Sequence, residues 1–189
     1  MVPAILAARF DVDALDRDES TNVAIDPAGT ILWVNRAWER FATANGGADV
    51  LRRFGLGGSY LGAISPSLQG FYASAFSNAL ASGEPLELDY ECSSAETFRR
   101  FHMRGLPIGQ EGLLLEHSLV VEHPHDRAVL EPIDALYASP DGVVVQCSNC
   151  RRVRRTTGLA WDWVPAWVRS FPPRTSHGLC DSCRAFYWG

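Results

Sequence analysis

The chain has 189 residues, of which 47% are hydrophobic and 21% charged, with a formal net charge of −5. That composition supports a buried core, excludes disorder over most of the length, and fits one or two domains. No apolar run approaches the ~18 residues of a membrane span, and Met1 to Phe10 lacks the basic start and apolar stretch of a signal peptide. The expected setting is therefore the cytoplasm, with no membrane partner.

Residues 2–16 carry Val2, Ile5, Leu6, Phe10 and Leu15 at roughly helical spacing, followed by an acidic cluster from Asp11 to Glu19. Val23 to Ile25 and Ile31 to Val34 read as two strands. The turn Asp26-Pro-Ala-Gly29 joins them, with proline preset and glycine free to take positive φ. Asn35 is placed to cap a helix over Ala37 to Ala44, with Trp38 and Phe41 on one face and Asn45-Gly-Gly47 as the stop. Gly55 to Gly62 reads as a loop. Ser65 and Pro66 then open a helix whose stripe Leu68, Phe71, Tyr72, Ala75, Phe76 and Leu80 ends at Gly83. Three strand-like runs follow, Leu86 to Cys92, Phe98 to Leu106 and Leu113 to Val121. Two strands, helices, then three strands predict an α+β fold with an antiparallel sheet.

The last 43 residues differ in kind. They hold 2 of the 22 acids, 7 of the 17 basic residues and four of the six tryptophans. The chain before them carries a net −10 and this tail +5. Every basic residue is arginine, an association with GC-rich bacterial genomes. Cys147-Ser-Asn-Cys150 and Cys180-Asp-Ser-Cys183, 29 residues apart, are two C-x-x-C knuckles. Such pairs supply four thiolates to one tetrahedral zinc ion, and a segment this short needs a staple. Four thiolates and one Zn²⁺ would lower the local charge to about +3. Two disulfides or two redox pairs are the competing readings. A redox C-x-x-C opens a helix in a βαβ setting, which neither pair shows in sequence. Cys92 stands alone and reads as a small buried hydrophobe.

Two resemblances add to this reading. Thr21 to Trp38 resembles the opening of a bacterial sensory PAS domain. Gly58-Ser-Tyr-Leu61, Phe71 to Leu80, Leu88 to Ser93, Phe98 to Met103 and Leu113 to Val121 follow in matching order. The resemblance covers about residues 20–123. It implies a PAS fold, an antiparallel five-stranded sheet with flanking helices, and a sensory role. The acidic exit motif of the family is replaced by Glu116-His-Ser-Leu-Val-Val-Glu122 and Pro124. The tail, from Asp141 to Arg154, Trp161 to Trp167 and Ser176 to Cys183, resembles a small cysteine-rich module found after PAS or receiver domains in bacterial signalling proteins.

The expected organisation is an N-terminal helical extension (1–19), a PAS sensor (20–123), a linker (124–140) and a four-cysteine zinc module (141–189). Cys147, Cys150, Cys180 and Cys183 are the expected ligands of Zn²⁺, and His177 is placed to support them. The ligand of the PAS portion is unknown. Residues 48–70 lack the cysteine of light-sensing flavin domains, and Pro66 to Gly83 lacks a haem-binding histidine. His102 and His117 lie on strands and read as surface or satisfied core residues. Trp161, Trp163 and Trp167 are expected to pack a short helix over the metal, with Pro165 near its start. Four thiolates leave no open coordination position, and no phosphate loop or nucleophile elbow is present, so a non-enzymatic regulator is expected. Its partners would be a second copy of the chain, through the N-terminal stripe, and a signalling protein. The alternatives are a nucleic-acid-binding regulator using Arg151, Arg152, Arg154 and Arg155, and a haem or flavin sensor.

Overall fold

The computed structural model describes residues 3–45 and 48–189. Two compact units are present. The first comprises Met1–Ile64, Gln69–Asp89 and His102–Leu119, and the second Ser65–Leu68, Tyr90–Phe101 and Val120–Gly189.

A five-stranded sheet of order β2-β1-β5-β4-β3 is built from β1 (Thr21–Ile25), β2 (Ile31–Val34), β3 (Leu86–Glu91), β4 (Thr97–Pro107) and β5 (Leu113–Pro124). The hairpin β1–β2 closes on Asp26, whose carboxylate accepts from the Ala28 and Thr30 amides, while Gly29 takes φ +81°. β1 runs antiparallel to β5, pairing Val23 with Leu115 and Ile25 with Leu113. Helices α3 (Arg36–Asn45), α4 (Ala48–Phe54) and α5 (Pro66–Ser82) lie between β2 and β3 in the chain. This antiparallel five-stranded sheet with flanking helices is the PAS fold that the sequence predicts.

Both faces of the central strands are covered in the first unit. On one face Ala24, Trp33, Ile108 and Leu114 pack with Leu6, which is fully buried. Leu6 belongs to α1 (Ala4–Ala7), and Val12 and Leu15 of α2 (Val12–Arg17) join the same cluster. The N-terminal stretch is thus two short helices, broken where Asp11 caps the second by accepting from the Ala14 amide. Among the described residues of the stripe, Ile5, Leu6, Phe10 and Leu15 pack against the chain's own sheet; Val2 lies outside the described residues. On the other face Val23, Ile25, Leu113, Leu115 and Met103 are buried with Tyr60, Phe76 and Leu80. Burial from two sides explains why Val23-Ala-Ile25 and Leu113-Leu-Leu115 are continuous apolar runs rather than alternating ones.

Asn35 caps α3 as expected, accepting from the Trp38 amide at 3.0 Å. It is also fully buried, accepts from the Asn22 amide and donates to the carbonyls of Leu15 and Ser20. The stop expected at Gly46-Gly47 lies outside the described residues. α4 is an addition to the sequence reading; Asp49 in its first turn and Arg52 and Arg53 in its last are the signal that favours it. The loop read over Gly55 to Gly62 contains part of a 3₁₀ turn, Leu61–Ala63. α5 ends as expected at Gly83, with φ +74°.

The second unit holds a four-stranded sheet of order β8-β7-β6-β9, formed by β6 (Val144–Cys147), β7 (Val153–Arg154), β8 (Trp161–Asp162) and β9 (Thr175–Gly178). Its core joins Tyr137, Val144, Val153, Val164 and Trp167. Tyr137 belongs to α6 (Asp134–Tyr137) and Trp167 to α7 (Ala166–Arg169), which starts directly after Pro165. Residues 124–140, expected as a linker, therefore include packed structure. Leu130 donates its amide to the Trp163 carbonyl and Tyr137 is buried. Flanking prolines at 124, 132 and 140 hide this in the sequence.

Candidate metal centre

β6 delivers Cys147 to the end of the second sheet. A knuckle follows, in which the Arg151 amide donates to the Cys147 carbonyl at 3.1 Å and the Cys147 amide donates to the Arg152 carbonyl at 2.8 Å. Arg151 takes φ +62°, the left-handed conformation the turn requires. β9 runs parallel to β6, with Cys147 opposite Gly178. Two residues on, Cys180 caps α8 (Asp181–Trp188), and Cys183 lies in its first turn. Parallel pairing thus closes the 29-residue gap and sets the two knuckles side by side.

The four sulfur atoms lie within 4.8 Å of one another, and all four cysteines are buried. None is in a disulfide. The Cys150 and Cys180 sulfurs, from different knuckles, are 3.7 Å apart. A tetrahedron with Zn–S bonds of about 2.3 Å has edges of about 3.8 Å. The donor set and its spacing therefore fit a tetrahedral S₄ ion. Cys180–Cys183 does open a helix, contrary to the sequence reading. That helix follows β9, and its first turn carries the second knuckle. The helix aims its positive end at the sulfurs, an environment that favours thiolate.

Hydrogen bonds polarise the cluster further. S–H groups of Cys150, Cys180 and Cys183 converge on Cys147 and hold its thiol far below the ordinary range, while Cys150 is pushed far up by the same neighbours. The Cys180 amide donates to the Cys147 sulfur at 3.5 Å, and Asn149 Nδ2 donates to the Cys183 sulfur at 3.3 Å. Trp161 and Leu179 pack against the four cysteines. Of the three tryptophans expected over the cluster, only Trp161 is there. Trp167 stacks edge-on with Tyr137, and Trp163 lies against His125 and Arg127. β8 ends at Asp162, so Trp163 lies beyond the strand that carries Trp161.

His177 is on β9 and exposed, its ring edge-on to Phe171 at 6.2 Å. The donor group of the cluster is the four cysteines without it. In the arginine run, Arg155 is bound to Asp162, which also accepts from the Tyr137 hydroxyl. Arg151 lies over Phe171. Cys92 is half-buried, and burial pushes its thiol up, as for an inert packing residue.

Arg127 is the contact that sequence reading missed. Its side chain, 11% exposed, donates through Nη2 to both oxygens of the equally buried Glu91 at 2.8 Å. Nη1 donates to the Cys150 carbonyl at 3.0 Å. Nothing in the spacing of Glu91, Arg127 and Cys150 announces that they meet.

In the first unit His102 pairs with Asp89 at 2.8 Å. His117 is buried and hydrogen-bonded to the Tyr60 hydroxyl at 3.1 Å, and burial lowers its pKa to about 4. A cleft of about 180 Å³ is lined by Ile25, Asp26, Leu61, Phe76, Ser77 and Leu113. That is below the roughly 300 Å³ of ordinary small-molecule sites. No helix among the described residues is long and apolar enough to cross a membrane.

No family model and no curated protein matches the sequence. Solved structures similar to the chain include a domain of an HTR-like protein from Haloarcula marismortui, 17% identical with a TM-score of 0.41, covering 55% of this chain and all of that one. The PAS domain of the quorum-sensing receptor RpfR from Cronobacter turicensis, in complex with BDSF, is 18% identical with a TM-score of 0.43, covering 56% and 97%. The PAS domain of nitrogen regulation protein NR(II) from Vibrio parahaemolyticus is 17% identical with a TM-score of 0.38, covering 57% and 95%.

Proposed function

We propose that this protein is a non-enzymatic cytoplasmic signal-transduction protein of bacterial type. In this reading residues 20–123 are the sensor and the C-terminal module is stapled by one structural Zn²⁺ on Cys147, Cys150, Cys180 and Cys183. The observation that carries the metal reading is the meeting of four buried, unbridged sulfurs within 4.8 Å of one another. Four protein ligands complete the coordination shell, so the ion holds structure rather than a reacting group. Zinc would supply folding free energy that this small sheet lacks, and its thiolates demand the reducing conditions of a cytoplasm. The PAS fold supplies the sensory part of the proposal: a ligand or partner protein that binds one of its conformations better shifts its population. Output in this reading passes through a protein partner.

The nucleic-acid alternative is weaker. Arg155 is committed to Asp162 and Arg151 lies over Phe171, so two of the four arginines already serve the module. Reconstitution with Co²⁺ tests the donor set. Four thiolates in a tetrahedron give visible d–d bands and sulfur-to-metal charge transfer that weaken in Cys183→Ser. A cobalt spectrum of octahedral type would sink the metal reading. The spectrum of the protein as purified separates the remaining alternatives, because zinc is colourless whereas haem, flavin and an iron–thiolate centre are not.

A further inference from the structure

The residues between the first two cysteines do more than close a knuckle. Ser148 Oγ is hydrogen-bonded to the hydroxyls of both Ser65 and Ser67, each at 2.8 Å. Ser65 and Ser67 sit at the start of α5. Asn149 Oδ1 accepts from the Glu91 amide at 3.3 Å and from the Tyr187 hydroxyl at 3.0 Å. The same amide group donates through Nδ2 to the Cys183 sulfur. Asn149 therefore bridges a backbone donor of β3, the second knuckle and α8. All these residues belong to the second unit.

The Glu91 amide has a particular place in the sheet. β3 is the last strand of the order β2-β1-β5-β4-β3. The Cys92 amide beside it donates to the Arg99 carbonyl, toward β4. Successive amides of a strand point in opposite directions, so that of Glu91 faces the open edge. An edge donor half-removed from water needs an acceptor, and the knuckle supplies one. The Glu91 carboxylate is held to the same knuckle through Arg127 and the Cys150 carbonyl.

We infer that Ser148 and Asn149 form a metal-set latch, in which occupancy of the four-cysteine centre fixes the edge of β3 and the first turn of α5. The inference rests on the metal reading above. Its physical basis is that the latch atoms sit on a loop whose two ends are both metal ligands. A tetrahedral ion fixes Cys147 and Cys150 relative to Cys183, and so fixes the Asn149 amide between the Cys183 sulfur and β3. Without the ion the four sulfurs are held only by weak S–H contacts, and the loop loses its frame. β3 and α5 both continue in the chain into residues of the first unit, Leu86–Asp89 and Gln69–Ser82. Metal state is thereby written onto elements of the PAS fold.

The test is amide exchange by NMR on the full chain, zinc-loaded and after removal of zinc with a chelator, with Asn149→Ala as a second, zinc-loaded sample. Ser148 and Asn149 are not ligands, so the variant keeps all four thiols. The expected result is at least tenfold faster exchange of the Glu91 amide on stripping, with Leu113 to Leu115 unchanged. Asn149→Ala should bind one zinc yet show the same acceleration at Glu91. If zinc binds and Glu91 exchanges alike in all samples, the latch is wrong and the metal reading stands. If the protein binds no zinc, both fall. If stripping accelerates Leu113 to Leu115 as well, Asn149→Ala decides: an unchanged Glu91 amide there overturns the latch.

Discussion

Arg127→Ala should cost the second unit about 3–5 kcal/mol, the penalty for stranding a buried charge. The number follows from the surroundings of Glu91. Arg127 and Glu91 are each only 11% exposed, and both carboxylate oxygens take their bonds from Arg127 Nη2 at 2.8 Å. Once the guanidinium is gone, the carboxylate keeps the Ser93 hydroxyl, at 2.7 Å, and little else. The cationic face that lies 4.8 Å from Trp163 and 5.5 Å from Phe98 is lost too, worth about 1 kcal/mol within that total. In urea, with a slope of about 2 kcal/mol/M, the midpoint should fall by about 2 M. Tryptophan emission reports the transition, since four of the six tryptophans lie at positions 161–188. The double variant Glu91→Gln/Arg127→Met removes both charges and should lose only about 1–2 kcal/mol, a coupling of at least about 2 kcal/mol. A single-variant loss below about 1 kcal/mol, or a double variant equal to the sum of the singles, would refute the reasoning.

His117 should make stability fall with acid. Its folded pKa, lowered by burial to about 4, lies under the unfolded 6.5, so both states are neutral above pH 6.5 and the full stability is present there. As pH drops through that window the unfolded state takes up the proton first, and about 3 kcal/mol is lost by pH 4. Stability curves of wild type and His117→Gln should differ by that slope, and parallel curves would remove His117 as its source. Asn35→Ala should lower stability by about 2–4 kcal/mol in calorimetry, because it uncaps α3 and leaves the buried Asn22 amide without its acceptor. A loss under 1 kcal/mol would contradict that role. Gly112→Ala would place a Cβ 2.1 Å from the Ile25 carbonyl oxygen, at the end of the β1–β5 pairing. Circular dichroism melts should show a loss of about 2 kcal/mol or more from the forced backbone shift; an unchanged melt would show that the turn has room.

The legible part of the fold is the part written in local terms. Asp26-Pro-Ala-Gly29, the Asn35 cap and the Gly83 stop each announce themselves by turn chemistry, and each forms. The two knuckles were equally plain, because C-x-x-C spacing is short-range. What remained hidden depends on partners far apart in the chain. Leu6 reads as an unpaired amphipathic stripe until β1, β2 and β5 arrive to cover it. Tyr137 lies among prolines, and only its burial beneath Trp167 shows that its segment is packed. Arg127 and Glu91 are 36 positions apart, and neither carries a motif. α8 carries no periodic signal in the sequence, because its eight residues, Asp181–Trp188, are too few for an apolar stripe.

Elemental analysis of protein purified without added metal or chelator tests the central claim most directly. One zinc per chain, released in step with four newly reactive thiols, is the predicted result. A chain with no stoichiometric metal, or with its tail cysteines paired as disulfides, would contradict it.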